Sequence, residues 1–129
     1  MEDSAMANEI TLSASVRYAP DTFSAREIFA ERNKQFDQTT KRRLGDTRNV
    51  GTSEETITLD ANDITTPGLL MLYNADATNY VQIGFATGVY PLRLAADQFA
   101  VMWLDGSVTT LYVKANTAAV DLDWQVLEQ

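Results

Sequence analysis

The chain has no cysteine and no histidine. The first absence removes disulfides, thiolate metal sites and thiol nucleophiles together. The second removes the commonest general base, the relay of a catalytic triad and the usual zinc ligand. Any catalysis would fall to carboxylates, lysine or tyrosine, so the expectation is a protein that is not an enzyme and uses no cofactor and no metal. No run of ~18 apolar residues occurs, and the opening MEDSAMANEI has neither a basic stretch nor an apolar one behind it. Neither a membrane span nor a secretory leader is expected, and the chain is expected to be made in a cytoplasm; a lack of cysteine fits that compartment. Positive charge is scarce as well: 10 Lys and Arg stand against 18 Asp and Glu, a net charge of −8. Such a chain repels polyanions, which argues against a nucleic-acid partner. What remains is 129 residues, 45% of them hydrophobic, enough for one core without covalent staples.

The pattern in that material is a period of two. Ile10, Leu12, Ala14, Val16 and Tyr18 alternate with Thr11, Ser13, Ser15 and Arg17, the mark of a half-buried strand. Val120, Leu122, Trp124 and Val126 do the same against Asp121, Asp123 and Gln125. Both stretches are candidates for an edge strand that pairs with a neighbouring copy. The centre of the chain, Gly68 to Leu94, reads as two or three short strands about the polar turn Asn74–Asn79. There Leu69, Met71 and Tyr73 fall on one face and Leu70 and Leu72 on the other, so both faces are expected inside a sandwich. Phe99, Val101 and Trp103 alternate with Ala100, Met102 and Leu104, and Asp105-Gly106 then predicts a two-residue hairpin into Val108–Ala115. Short strands at this spacing with Asn, Asp and Gly turns predict an all-β fold, a β-sandwich that includes the jelly roll among its forms. The expected layout is a flexible tail over 1–8 and a single sandwich domain over 9–129.

Within that domain residues 19–50 predict an irregular basic arm or insertion. The segment from Thr22 to Phe36 fits an amphipathic helix, with Phe23, Ile28, Phe29 and Phe36 as its stripe, or two irregular strands. Residues 26–48 hold seven of the ten basic residues, Arg26, Arg32, Lys34, Lys41, Arg42, Arg43 and Arg48, against Glu27, Glu31, Asp37 and Asp46. The local balance is +3 and the remainder of the chain carries −11. One reading is a solvated face. The other is a docking arm for an acidic partner or for another copy of the same chain, with those seven residues as the partner-binding set.

Three further clusters carry side chains with ligand or substrate chemistry. Asp60, Asn62 and Asp63 suggest calcium, but Ile64 occupies the third ligand position, and an Asx-rich turn is expected instead. Glu54 and Glu55 are adjacent, so on a strand they point to opposite faces and do not converge on one substrate. Tyr73, Asn74, Asp76, Asn79 and Tyr80 offer aromatic faces beside hydrogen-bonding groups, the materials of a carbohydrate-binding module, although a satisfied turn flanked by tyrosines uses the same residues.

Five runs in fixed order carry a family resemblance: Gly51–Glu55; Asp63–Gly68; Asn74-Ala75-Asp76-Ala77-Thr78-Asn79-Tyr80-Val81 with Ile83-Gly84; Tyr90–Leu94; and Leu111–Ala118. Together they resemble small virion structural proteins of tailed bacteriophages. The resemblance spans about residues 50–127 and stops short of the charged first part. It implies a capsid decoration protein or a neck, tail or fibre-base component, located in the virion. Its implied partners are other virion proteins and itself, as a homo-oligomer. It supplies no catalytic residues.

Overall fold

The computed structural model describes residues 8–21, 25–38 and 41–129. The chain divides into two compact units, Met1–Thr39 and Thr40–Gln129. The single sandwich expected over 9–129 is thereby corrected: the sandwich belongs to the second unit, and Ile10–Tyr18 belongs to the first. Residues 1–7 of the expected tail lie outside the described residues.

The first unit is an antiparallel ribbon of β1 (Ile10–Tyr18) and β2 (Arg26–Phe36). The strand reading of β2 therefore holds over the helical one, and no helix occurs among the described residues. Its apolar spacing is ragged because the register shifts between Ala14 and Val16 and again between Val16 and Arg17. A bulge inserts a residue on one strand only, so a period of two changes phase there and ceases to be readable along that strand. Across the ribbon the phase is kept: Phe36 lies opposite Ile10, and Phe29 opposite Val16.

The second unit contains β3 (Arg43–Val50), β4 (Glu55–Thr58), β5 (Pro67–Asn74), β6 (Val81–Gly84), β7 (Leu92–Leu94), β8 (Phe99–Trp103), β9 (Thr110–Ala115) and β10 (Val120–Glu128). They form two four-stranded antiparallel sheets, β3-β10-β5-β8 and β4-β9-β6-β7. Numbered within the unit, the orders are 1-8-3-6 and 2-7-4-5, the arrangement of an eight-stranded jelly roll. The sheets enclose one core, in which Val50, Ile57, Leu70, Ile83, Val113 and Leu122 are almost without solvent contact. Burial of this apolar surface is the main favourable term holding the sheets together.

Two expectations about strand neighbours change. Val120–Val126 is not an edge: β10 runs between β3 and β5, which suits a strand whose inward Val120, Leu122 and Val126 are fully buried. Asp105-Gly106 does not close a type I′ hairpin, because neither residue has a positive φ and β8 and β9 belong to different sheets. Asp105 instead accepts hydrogen bonds on Oδ1 from the Ser107 amide (2.9 Å) and hydroxyl (2.7 Å), and its carbonyl accepts from the Val108 amide (2.9 Å). An Asx turn of this kind carries the chain across the sandwich. Gly106 packs against Thr66, whose side chain would have to shift for a Cβ, which would lie 2.6 Å from its Cγ2.

Candidate interaction surfaces

The inward residues of β3-β10-β5-β8 build the core, so their alternates form a second, outer face. Register sets them out in columns. Asp123 lies opposite Thr47 and Tyr73, and Tyr73 opposite Phe99. Gln125 lies opposite Gly45 and Met71, Met71 opposite Val101, and Leu69 opposite Trp103. On the β10 side the face is polar: Thr47 Oγ1 donates to Asp123 Oδ1 (2.6 Å), Asn49 Nδ2 to Asp121 Oδ1 (2.8 Å) and Arg43 Nη1 to Gln125 Oε1 (3.0 Å). On the β5 and β8 side it is apolar and open, with Phe99 73%, Trp103 45%, Val101 44% and Tyr73 36% exposed. A shallow groove of about 520 Å³ lies between, bordered by Thr47, Met71, Tyr73, Phe99, Asp123 and Gln125 among others. The Tyr73 hydroxyl donates to Asp97, whose hydrogen bond and charge raise the phenol above its ordinary pKa. The central strand β5 was expected to be core on both faces. Leu70 and Leu72 are buried on one face; on the other Leu69 is buried as well, Met71 is half-buried and Tyr73 opens outward.

The ribbon is two-faced as well. One face carries Ile10, Leu12, Ala14, Val16 and Tyr18 from β1, with Phe36, Lys34, Arg32, Phe29 and Arg26 opposite them on β2. The other pairs Thr11 with Gln35, Ser13 with Asn33 and Arg17 with Glu27. The first face is apolar along β1 and cationic along β2. Val16, Tyr18 and Phe29 on it are 45–54% exposed, and the Arg32 guanidinium sits 5.0 Å from the Phe29 ring centroid, within range of cation–π attraction.

The seven basic residues expected to form one docking arm are divided between the two units. Arg26, Arg32 and Lys34 share the ribbon face just described, while Lys41, Arg42, Arg43 and Arg48 belong to the sandwich unit. Residues 26–39 hold three bases against Glu27, Glu31 and Asp37, so the +3 comes entirely from residues 40–48. There Arg48 Nε contacts Glu55 Oε1 at 3.2 Å, and Arg42 Nη1 lies 3.7 Å from Glu128 Oε1 and donates to the Asp63 carbonyl at 2.8 Å. Both arginines therefore make contacts within the sandwich unit.

Glu128 is the reason Arg42 matters. Its side chain is only 3% exposed, and Oε2 accepts from the Thr65 amide (2.6 Å) and hydroxyl (3.1 Å). A buried carboxylate that loses its cation is destabilising, and the half-open Arg42 side moderates the loss to about 1–2 kcal/mol. Arg42→Ala is therefore expected to lower the urea midpoint of the sandwich, while Arg42→Lys, which keeps the cation, is expected to lower it less. Equal midpoints for the two variants would refute this role for Arg42.

The remaining clusters resolve into local structure. Asn74 is fully buried; its Nδ2 donates to the carbonyls of Asn79 (2.9 Å) and Leu94 (3.0 Å), and its Oδ1 accepts from the Asp76 amide (2.8 Å). Asp76 accepts from the amides of Asn79 (2.6 Å) and Thr78 (2.9 Å). Tyr80 is covered by the Arg93 guanidinium at 3.9 Å. Of the five residues weighed for a sugar site, only Tyr73 borders the groove. Asn62 and Asp63 adopt left-handed φ of 52° and 70°, as an Asx-rich turn requires. Among the described residues no group of three or more Asp or Glu is placed to hold a metal ion. Glu54 and Glu55 diverge: Glu55 accepts from the Gly51 amide (2.6 Å), whereas Glu54 binds the β6–β7 loop through Thr87 Oγ1 (2.7 Å), the Gly88 amide (2.7 Å) and the Tyr90 hydroxyl.

Those turn contacts give three carboxyls a common response to acid. Glu54 is held below the usual carboxylate range by the hydrogen bond from Thr87, then by Tyr90 and Gly88; Asp76 by the amides of Asn79 and Thr78; Asp105 by Ser107. A carboxyl with a lower pKa folded than unfolded contributes stability that is complete above the usual range near 4 and is lost as pH falls through the depressed value. Melting temperature is expected to hold between about pH 7 and 5 and to fall below about pH 4. Glu54→Gln should flatten that acid limb, and an unchanged limb would count against the assignment. A comparison of the chain with protein-family models, curated proteins and solved structures gives no match.

Proposed function

We propose that this chain is a structural component of a tailed-bacteriophage particle that assembles by repeated protein–protein contacts, as a capsid decoration or a neck, tail or fibre-base protein. The observation that carries the reading is the exposed apolar group Tyr73, Phe99 and Val101 on the outer sheet face. Contiguous exposed apolar surface of this kind, rimmed by polar residues, is the mark of a docking face. The ribbon adds a second such surface, and a two-stranded ribbon is marginal alone in water. In a symmetric shell or tube one modest patch acts many times over. The run Asn74–Gly84, part of the resemblance to virion proteins, supplies the jelly roll's sheet-crossing turn.

The decisive experiment is mass spectrometry of purified particles from cells that express the surrounding genes. The chain is expected at a fixed stoichiometry to the shell or tail protein. Its absence from intact particles would overturn the reading.

The groove also supports a second reading, a carbohydrate-binding module, since Tyr73 and Phe99 stand beside Asp123 and Gln125. Binding of soluble glycans that is abolished by Tyr73→Ala would favour it.

A further inference from the structure

We propose that the ribbon of one copy docks, through its apolar and cationic face, on the outer face of the β3-β10-β5-β8 sheet of a second copy. The inference rests on the assembly reading above and names the partner of that sheet face. Both surfaces have the same plan in opposite sign. The ribbon sets an apolar strand, with exposed Val16 and Tyr18, beside a strand carrying Arg26, Arg32 and Lys34. The sheet sets apolar strands, with exposed Phe99 and Val101, beside a strand carrying Asp121 and Asp123, and Arg43, a cation of the same face, lies toward the other end of that strand on Gln125. Arg32 and Lys34 are two residues apart on one strand, as are Asp121 and Asp123, so each pair repeats at about 6.8 Å. Asp121 and Asp123 accept their hydrogen bonds from neutral groups, Asn49 and Thr47, and are thus left as anions for a visiting cation.

Charge also excludes the like-with-like alternatives. Ribbon against ribbon brings Arg26, Arg32 and Lys34 near their copies, and sheet against sheet brings Asp121 and Asp123 near theirs, which is unfavourable in a desolvated contact. Ribbon on sheet joins opposite signs and buries the exposed aromatic residues of both. Two copies can make such a contact reciprocally as a twofold dimer, or it runs head-to-tail into a ring or filament.

The test is sedimentation of the full-length chain over a concentration series at low salt. Wild type is expected to associate reversibly, and more weakly as salt screens the ion pairs. Arg32→Glu with Lys34→Glu should raise the dissociation constant about tenfold or more, as should Asp121→Lys with Asp123→Lys. The chain carrying all four reversals should associate within about threefold of wild type. Phe99→Ala, at a position 73% exposed, provides an arm that does not threaten folding and should also weaken association. A monomer at every concentration overturns the docking, as does association that ignores the sheet variants or four reversals that fail to restore it. Particle membership is read separately by mass spectrometry, so a particle protein that stays monomeric in solution refutes this contact and leaves the assembly reading standing.

Discussion

Gly84→Ala is expected to destabilise the sandwich by about 3 kcal/mol, at the upper end of what overpacking a core costs. Gly84 is buried at the end of β6, where the loop to β7 folds back across it. A Cβ there would lie 1.7 Å from the Val89 carbonyl oxygen and 3.1 Å from Cα of Tyr90. Both are backbone atoms, so the whole loop must move, and with it the Gly88 amide and Tyr90 hydroxyl that Glu54 holds. Both tryptophans, Trp103 and Trp124, belong to the sandwich unit, so their fluorescence during urea unfolding reports on that unit alone. The midpoint should fall by roughly 1.5 M for a unit of this size. Adding Glu54→Gln to Gly84→Ala should cost little more, because the partners of Glu54 have already been displaced. An unchanged midpoint for Gly84→Ala would mean that the loop does not pack on β6.

Asn74→Ala is expected to cost a similar amount, about 3 kcal/mol, by a different route. Asn74 lies where the chain leaves one sheet for the other. Its amide group donates to carbonyls of Asn79 and Leu94, and its backbone exchanges hydrogen bonds with Gln98 and Asp97. Truncation leaves the buried Leu94 carbonyl and the part-buried Asn79 carbonyl and Asp76 amide without their partner, and the desolvation of the first is then uncompensated. Asn74→Asp should be no better, because a carboxylate has no donor to offer those carbonyls. Asp76→Ala removes one exposed and one part-buried turn contact and should shift the urea midpoint less. If Asn74→Ala and Asp76→Ala had equal effects, the buried amide would not be the stitch between the sheets.

Both sites were visible in the sequence as residues, but not in these roles. Asn74 stood out as the start of a polar turn, and sequence spacing alone allowed a sugar ligand as readily as a buried hydrogen-bonding hub. A glycine in a strand signals a close approach, yet which backbone approaches Gly84 depends on a loop that returns from the neighbouring strand. The basic segment shows the same limit more sharply. Its +3 balance is real, but the whole of it falls in the sandwich unit, where Arg42 and Arg48 serve buried or half-buried glutamates contributed by β10 and β4. No local pattern announces that Arg42 will meet a side chain 86 positions away.

What the sequence determined by itself was the class of structure: a period of two held through Ile10–Tyr18 and Val120–Val126, and Asx- and Gly-rich turns at short intervals, specify strands because side chains alternate across a pleated sheet. The tertiary structure decided which strands are neighbours. Alternation defines two faces for every strand but not the strand hydrogen-bonded beside it, and in this jelly roll only β6 and β7 pair with their sequence neighbour among the sandwich strands. It also decided which apolar face stays open. Phe99, Val101 and Trp103 are as hydrophobic as Ala100, Met102 and Leu104, so composition gives both sides of β8 equal claim to the core. Only the position of β8 at the rim of the first sheet, with the second sheet packed behind it, turns one of them into a surface.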